Sequence, residues 1–253
     1  MIFYFSATGN SRHVAQRLAA ATGDRAVAMT DALKEGMPAF RPAAGERVGL
    51  VSPVYFFGLP VPVLDFVNAL RVEADKDCYV YYVSTYGTSS GMAHAMMRRA
   101  LARRGLTLQS SFGVRMVDTW TPLFDLSDKE KCQRQTLAAE PRIDTVARLV
   151  ADRRRTAWGR RALPPLLARW EYAHYPSQRA TRHFSVTPQC TGCGRCARKC
   201  PAGAITMADG RPVWTKAQCF CCLGCLHRCP AFAIQYGRRT ARHGQFVHPG
   251  TCP

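Results

Sequence analysis

Two stretches of the chain concentrate cysteine at spacings suited to binding a metal centre. Residues 190–201 read CTGCGRCARKCP, and residues 219–230 read CFCCLGCLHRCP. When the second stretch is aligned under the first, every cysteine of the first run has a cysteine below it, and the final prolines also align. Cys221 falls opposite Gly192 and has no counterpart. The repeat therefore defines a set of candidate ligands and one spare cysteine.

Each run has the spacing C-x2-C-x2-C-x3-C-P, in which three cysteines form a tight loop around one iron–sulfur cluster and the fourth reaches the other cluster. This spacing assigns one cluster to Cys190, Cys193, Cys196 and Cys229, and the other to Cys200, Cys219, Cys222 and Cys225. Structural zinc is the alternative, because paired C-x2-C motifs also bind zinc. Two complete runs that both end in proline favour iron–sulfur clusters.

These residues closely resemble the bacterial dicluster ferredoxins, and the resemblance implies two 4Fe–4S clusters that pass single electrons. The residues between the runs predict a short hairpin. Ile205 and Ile234, at equivalent positions of the repeat, are expected to pack near the clusters. Ferredoxins of this type are acidic, whereas residues 184–253 contain nine Lys and Arg and one acidic residue. The redox partner proteins are therefore expected to be acidic.

A second kind of site is predicted at the N-terminus. Residues 1–5 form an apolar strand, a turn of small residues follows, and Val14, Leu18 and Ala21 have the spacing of one helix face. Hydroxyls and backbone N–H groups at the start of a helix bind anions such as phosphate. The candidate phosphate-binding residues are Ser6, Ala7, Thr8, Gly9, Asn10 and Ser11. An ordinary capping turn is the alternative.

Two later segments repeat the order strand, loop and helix. Their loops contain Pro53, Val54, Tyr55, Phe56, Phe57 and Gly58 in one case, and Ser84, Thr85, Tyr86 and Gly87 in the other. Several aromatic residues in a surface loop are expected to be covered by a planar ligand, although packing against the adjacent helix is an alternative. Trp120, after a fifth strand, could also reach this ligand, but it is expected in the core.

Residues 6–11, written SATGNS, resemble the T-x-T-G-N-T phosphate loop of flavodoxins. Alternating strands and helices predict an α/β fold with a doubly wound parallel sheet, and the resemblance implies a flavodoxin-like, five-stranded sheet that binds FMN. By this resemblance the isoalloxazine would lie between 53–58 and 84–87, nearest Tyr55, Phe56 and Tyr86. A long final helix is predicted over 128–156. The whole chain resembles flavodoxin–ferredoxin fusion proteins of anaerobic bacteria and archaea.

We predict three parts: a flavodoxin-like FMN-binding domain over 1–156, a basic helical linker over 157–183, and a small α+β dicluster ferredoxin domain over 184–253. Residues 151–183, which include the linker, contain eight arginines and two acidic residues. The apolar residues of the linker, which include Leu166, Leu167 and Trp170, fit a helix that docks one domain on the other. A peripheral membrane helix is the alternative, which the short apolar stretch does not favour.

Composition limits the remaining possibilities. No long apolar run predicts a transmembrane segment, and the first residues do not resemble a signal peptide, so we expect a cytoplasmic protein. The net charge of +18 is compatible with nucleic-acid binding, but no nucleic-acid-binding motif accompanies it. We therefore expect that the protein does not bind nucleic acid. Outside the two runs, Cys78, Cys132 and Cys252 are expected to be inert thiols.

The combination of cofactors predicts an electron-transfer protein that moves electrons between FMN, two 4Fe–4S clusters and a partner oxidoreductase. The alternative is a flavin-dependent reductase of a quinone, nitroarene or unsaturated compound, fed by the clusters. A redox sensor is a third possibility. The sequence contains no nicotinamide-binding fingerprint, and it assigns no catalytic residue.

Overall fold

A computed structural model describes residues 1–36, 46–71, 78–161 and 163–251. Its N-terminal part is an α/β layer structure. The strands are β1 Ile2–Tyr4, β2 Ala26–Ala28, β3 Arg47–Pro53, β4 Tyr79–Tyr86, β5 Ser110–Arg115 and β6 Ala157–Trp158. The helices are α1 Asn10–Thr22, α2 Met29–Lys34, α3 Val61–Ala69, α4 Ala93–Ala102 and α5 Lys129–Ala151.

The six strands form one parallel sheet in the order β2-β1-β3-β4-β5-β6. The predicted doubly wound fold is confirmed, but the sheet has six strands rather than five. The extra strand β6 lies inside the segment 157–183 and pairs with Ser111 and Phe112. The predicted linker is therefore not helical throughout.

Helices cover both faces of the sheet, which explains why β4 is buried along its whole length. One core cluster packs β-strand side chains such as Leu50 and Val80 with Phe66 and Met97 of α3 and α4. On the other face, α1 and α5 pack against the sheet and against each other. Tyr82, fully buried, is satisfied by a 2.9 Å hydrogen bond between its hydroxyl and Ser52 Oγ.

Two predicted helices differ in detail from the structure. In α1, Val14 and Leu18 are buried as expected, but Ala21 is exposed and Ala15 is buried instead. The buried residues Ser11, Val14, Ala15 and Leu18 have the i, i+3, i+4, i+7 spacing of one helix face, and this face ends before Ala21. The final helix ends at Ala151 rather than at 156, because Arg153 adopts a left-handed backbone conformation with φ 51°.

The segment that joins the two parts contains α6 Pro165–Ala173, α7 Tyr175–Gln178 and a 3-10 turn, Thr181–His183. Tyr172 and Tyr175 attach this segment to both parts of the chain. The Tyr172 hydroxyl donates to the Leu59 carbonyl at 2.7 Å, and the Tyr175 hydroxyl donates to the Phe220 carbonyl at 2.8 Å. The segment thus docks the two parts on each other.

The C-terminal part is built from short elements. They are β7 Phe184–Val186, α8 Arg195–Arg198, β8 Ile205–Ala208, β9 Arg211–Trp214, α9 Gly224–His227, β10 Ile234–Tyr236 and α10 Thr240–His243. The hairpin predicted between the cysteine runs is β8–β9, which turns at Asp209 and Gly210. Outside these runs, Cys78 and Cys132 are buried, and Cys252 lies outside the described residues.

Among the residues that the structure describes, no helix has the length and apolar character needed to cross a bilayer.

Candidate functional site

A cavity of about 290 Å³ lies beyond the carboxyl ends of β1, β3, β4 and β5. This is the edge at which open parallel sheets bind ligands, and the strand order reverses between β1 and β3 there. The lining residues lie within segments 6–11, 53–57, 85–89, 117–124 and 221–223, together with Glu171. The cavity is therefore bounded by both the α/β part and the second cysteine run.

The turn between β1 and α1 forms one end of the cavity. Gly9 caps α1 with φ 102°, and the first turn of the helix contains no acidic residue. Asn10 is buried, its Nδ2 donates to the Val117 carbonyl at 3.1 Å, and its Oδ1 has no hydrogen-bond partner. The Ser11 and Thr85 hydroxyls are 2.8 Å apart. The helix dipole and the hydroxyls make this end suitable for a phosphate, and the unpaired Asn10 Oδ1 can accept a hydrogen bond only from a donor such as a ligand hydroxyl.

The end of the chain supports this turn from behind. The His248 N–H donates to the Thr8 carbonyl at 2.8 Å, and the His248 ring stacks on His13 with centroids 4.1 Å apart. A Cβ on Gly9 would lie 2.0 Å from Thr251 Oγ1. Glycine is therefore required at position 9 by close packing as well as by its backbone conformation.

An aromatic turn forms a second wall. Tyr55 and Gly58 exchange backbone hydrogen bonds of 3.0 and 2.8 Å, and the two residues between them, Phe56 and Phe57, have φ of 49° and 61°. Positive φ at two bulky residues is strained, and such strain concentrates at functional sites. The Phe56 ring stacks on Tyr175 at 5.3 Å and meets Trp120 edge-on at 5.0 Å.

Most residues of the predicted FMN loops line this cavity, but three do not. Gly9 is covered by His248 and Thr251, and Gly58 packs under the Tyr172 ring. Ser84 points into the interior between β4 and α4, where its Oγ is 2.9 Å from His94 Nε2. Side chains alternate along a strand, so Ser84 and Thr85 face opposite sides and only Thr85 reaches the cavity.

The loop after β5 was not included in the predicted site. Val117, Asp118, Thr119 and Trp120 line the cavity, and Trp120 is half-buried there rather than placed in the core as expected. The sequence could have indicated this loop as part of the site, because the carboxyl ends of all central strands of such a sheet meet at one edge. Cys221, Cys222 and Leu223 were also missed as lining residues, and no local sequence pattern points to them.

Asp118 is an acidic group in this wall. Its carboxylate accepts hydrogen bonds from Thr88 Oγ1 at 3.0 Å and from the Trp120 N–H at 3.2 Å. Burial nevertheless raises the pKa of Asp118 above its usual value. The carboxyl group thus sits in an environment that disfavours its charge, beside whatever occupies the cavity.

Two further small cavities occur in the C-terminal part. One is lined by the first three cysteines of the first run and the last of the second, namely Cys190, Cys193, Cys196 and Cys229, together with Ile234. The other is lined by Cys200, Cys219, Cys222 and Cys225, together with Ile205. The structure thus groups the cysteines in two sets of four, and each set takes one cysteine from the opposite run.

The donor chemistry of the second set fits a metal centre. Burial raises the pKa of Cys222 to about 12 and that of Cys225 well above its usual value. Four closely packed thiols in such a place are stable as thiolates only when a cation supplies compensating charge. Cys221 is buried and lies outside both sets, and burial raises its pKa as well.

The second cysteine set and the large cavity share a wall. Cys222 and Leu223 line both, so a ligand in the large cavity would contact a cysteine of the second set. No cysteine of the first set lines the large cavity, and Cys193 of this set is exposed.

A doubly wound sheet with a phosphate-type turn and an aromatic cavity, joined to two sets of four cysteines, defines a class of flavin and iron–sulfur electron-transfer proteins. Comparison with known families agrees. A model described as a flavodoxin domain matches residues 1–140, and one described as a 4Fe-4S dicluster domain matches residues 189–234. The chain belongs to the flavodoxin domain family, with a dicluster domain fused behind it. Its cofactors are accordingly FMN and two 4Fe–4S clusters.

Solved structures are similar only at low identity. One is rubredoxin oxygen:oxidoreductase from the anaerobe Desulfovibrio gigas, with 19% identity over 60% of this chain and a TM-score of 0.35. Another is the Trp repressor binding protein from Bacillus subtilis, with 11% identity over 59% of this chain and a TM-score of 0.39. This chain spans 36% of the first protein and 97% of the second. No curated protein matches the chain significantly.

Proposed function

We propose that this protein carries electrons between its cofactors in a fixed order. Electrons pass from FMN in the large cavity to the cluster held by the second cysteine set, and then to the cluster held by the first set. From there they reach a partner oxidoreductase, and the reverse direction follows the same order. The observation that carries this proposal is the shared wall. Cys222 is a candidate cluster ligand and also lines the cavity proposed for FMN. Electron transfer between the two cofactors would then need no movement of one domain past the other.

The residues proposed to hold FMN act in three groups. Ser6, Thr8, Asn10 and Ser11 surround the phosphate, because they line the cavity at the start of α1. Tyr55, Phe56 and Trp120 bound the isoalloxazine and exclude water from it. When bound, FMN supplies the exchange between two-electron and one-electron chemistry.

The proposed cluster ligands are the two cysteine sets described above. Arg228 lies beside the second set, where burial lowers its pKa and the Cys222 thiolate would oppose that effect. Its fixed positive charge stabilises the more reduced, more negative state of a nearby centre. Ile205 and Ile234, both buried, keep water from the two centres.

The electron exit is proposed at the first set. Cys193 is exposed there, and the adjacent Arg195, Arg198 and Lys199 are exposed as well. The only acidic residue in 184–253 is Asp209. This surface would attract an acidic partner protein and would lose affinity for it at high salt.

We also propose the boundaries 1–156, 157–183 and 184–253, with β6 of the middle segment completing the sheet of the first. A reducing compartment such as the cytoplasm fits the proposed cluster ligands, because cysteines must stay reduced to bind iron as thiolates.

Anaerobic purification tests the proposal. About eight irons with matching sulfide and about one FMN per chain are expected. Rapid mixing with a one-electron reductant, followed at flavin and cluster wavelengths, should show both centres equilibrating within one molecule, at a rate independent of protein concentration. A rate that rises with protein concentration would overturn the proposed internal path.

A flavin-dependent reductase is the second candidate. It is favoured by one feature, the apolar rim of the large cavity, where Leu123 is 61% exposed. A small quinone or nitroarene could approach the flavin there. Single-turnover reduction of such compounds by the pre-reduced protein, absent when Leu123→Trp closes the rim, would support the reductase over the carrier.

A further inference from the structure

Helix α6 presents an apolar face to solvent. Leu166 is 81% exposed, Trp170 is 60% exposed and Leu167 is 44% exposed. Leu166 and Trp170 are four residues apart, and Leu167 and Trp170 are three apart, so the three side chains lie on one side of the helix. Exposed apolar residues are ordinary when scattered, but three large ones together on one short helix indicate a binding surface.

This face is not the one by which the helix docks on the protein. Ala168 is buried under the helix, the Tyr172 ring packs over Gly58, and the Tyr172 hydroxyl is bound to the Leu59 carbonyl. Tyr175, just beyond α6, is also buried. The segment therefore acts as the docking linker that its sequence favours, and it presents the opposite face in a fixed orientation.

The surroundings of the apolar face are basic. Arg160 and Arg161 precede the helix, Arg169 lies within it, and all three are exposed. The segment 151–183 contains eight arginines and only two acidic residues. One of these two, Glu171, lines the large cavity instead. Positive charge around an exposed apolar helix face is complementary to a surface with negative head groups above an apolar layer.

We propose that α6 binds the protein peripherally to an anionic lipid surface, with Leu166, Leu167 and Trp170 entering the acyl boundary and the arginines contacting the head groups. Three side chains are too few for a stable protein interface of ordinary size. They suit a lipid surface, where apolar insertion and charge attraction act together. Because Glu171 of the same helix lines the cavity, this docking would hold the cavity mouth close to the membrane.

The test uses holoprotein and lipid vesicles, and it requires no electron transfer, so it stands independently of the proposed function. Vesicles of phosphatidylglycerol mixed with phosphatidylcholine should co-sediment the protein, and vesicles of phosphatidylcholine alone should not. Tryptophan emission should shift to the blue on binding, and Trp170→Phe should remove that shift. Raising the salt concentration should weaken binding by about an order of magnitude.

The double variant Leu166→Gln/Trp170→Gln should reduce the partition coefficient at least about tenfold. Leu137→Gln provides the matched control, because Leu137 is 61% exposed on α5. Arg160→Gln/Arg169→Gln should weaken binding, whereas Arg134→Gln/Arg148→Gln on α5 should weaken it much less. All four variants change exposed side chains, so folding should be preserved.

Three outcomes would overturn the proposal. They are no binding to anionic vesicles, equal binding to neutral vesicles, and unchanged binding by the Leu166→Gln/Trp170→Gln variant. Sedimentation equilibrium without lipid provides the remaining check. A dimer that the same double variant dissociates would assign this face to a second copy of the chain instead of a membrane.

Discussion

Cys200 and Cys222 belong to different halves of the cysteine repeat, yet they line the same small cavity. Cys222 also lines the large cavity at the edge of the sheet. The cluster proposed for the second set, which takes Cys200 from the first run, is therefore the one expected next to the flavin.

Replacing the crossing cysteines should remove different clusters. Cys200→Ser should deplete the cluster beside the large cavity and slow electron exchange with the flavin. Cys229→Ser should deplete the outer cluster and leave that exchange rapid. Each variant should lose about half of the iron. Iron analysis, EPR spectra and rapid-mixing kinetics measure the difference, and Cys221→Ser, which alters no proposed ligand, should retain both clusters. Slow flavin exchange in Cys229→Ser instead would reverse the proposed order.

Removing one hydroxyl from the phosphate turn should weaken FMN binding. Thr8 is 5% exposed and lines the cavity, so Thr8→Val removes a hydrogen-bond donor with little change of shape. A hydrogen bond to a charged group corresponds to a loss of affinity of about tenfold or more. Titration of FMN into flavin-depleted protein, followed by fluorescence quenching, measures the Kd.

The matched control is Thr22→Val at the other end of α1. The Thr22 hydroxyl donates to the Leu18 carbonyl and lies outside the cavity. This variant should keep the Kd of the parent protein. Equal weakening by both substitutions would mean that helix stability, and not phosphate contact, controls the affinity.

The stability of the flavodoxin part should fall in mild acid because of His94. Burial lowers the pKa of His94 to about 3, with smaller contributions from Arg160 and Arg98. The unfolded chain has an ordinary histidine pKa near 6.5, so between these values the unfolded state binds more protons, and stability is lost as the pH decreases. From about pH 7 to about pH 5 the loss is about 2 kcal/mol.

His94→Gln should remove the part of this dependence that His94 contributes, because glutamine does not titrate, and its amide can still hydrogen-bond to Ser84 Oγ. A remaining part is expected from His227 and His248, since burial lowers the pKa of each to about 4. Denaturant unfolding at the two pH values, followed by far-UV circular dichroism, measures this dependence. The control is His174→Gln, which replaces an exposed histidine away from the buried Ser84–His94 pair. A parent protein whose stability is the same at both pH values would contradict the neutral, buried state of His94.

A methyl group at position 58 should disturb the attachment of α6. A Cβ on Gly58 would lie 2.4 Å from the Tyr172 ring, so Gly58→Ala requires that ring to move. Overpacking of this kind costs about 1–3 kcal/mol and should lower the melting temperature by about 5 °C. In a Tyr172→Ala background the same change should cost almost nothing. Equal costs in the two backgrounds would show that the two residues are not coupled.

Sequence patterns predicted the parts of this protein that depend on local spacing. Strand–turn–helix order identified the doubly wound fold, and residues such as Thr8 and Tyr55 were placed in loops that do line the cavity. The constant cysteine spacing alone sorts Cys200 and Cys229 into opposite sets. These features succeed because the backbone conformation of a short motif determines where its side chains point.

The parts that could not be predicted depend on contacts between distant residues. Strand β6 has only two residues, too few for any periodicity, and it exists because Trp158 pairs with Phe112. Contact between the His248 N–H and the Thr8 carbonyl joins the two ends of the chain. Cys221 and Leu223 line the large cavity because of how the two parts dock on each other. The sequence pattern of either part alone does not predict this docking.

Because Leu223 and its two preceding cysteines complete the wall of the large cavity, cutting the gene at the apparent border between modules would not yield two working halves. An isolated N-terminal fragment would hold its flavin in a cavity that lacks one wall and is open to water and to molecular oxygen. Fusing a different ferredoxin domain to this flavodoxin domain would likewise place a surface that does not fit against the large cavity. We therefore expect the two domains to be inherited together and not to be exchanged separately by recombination.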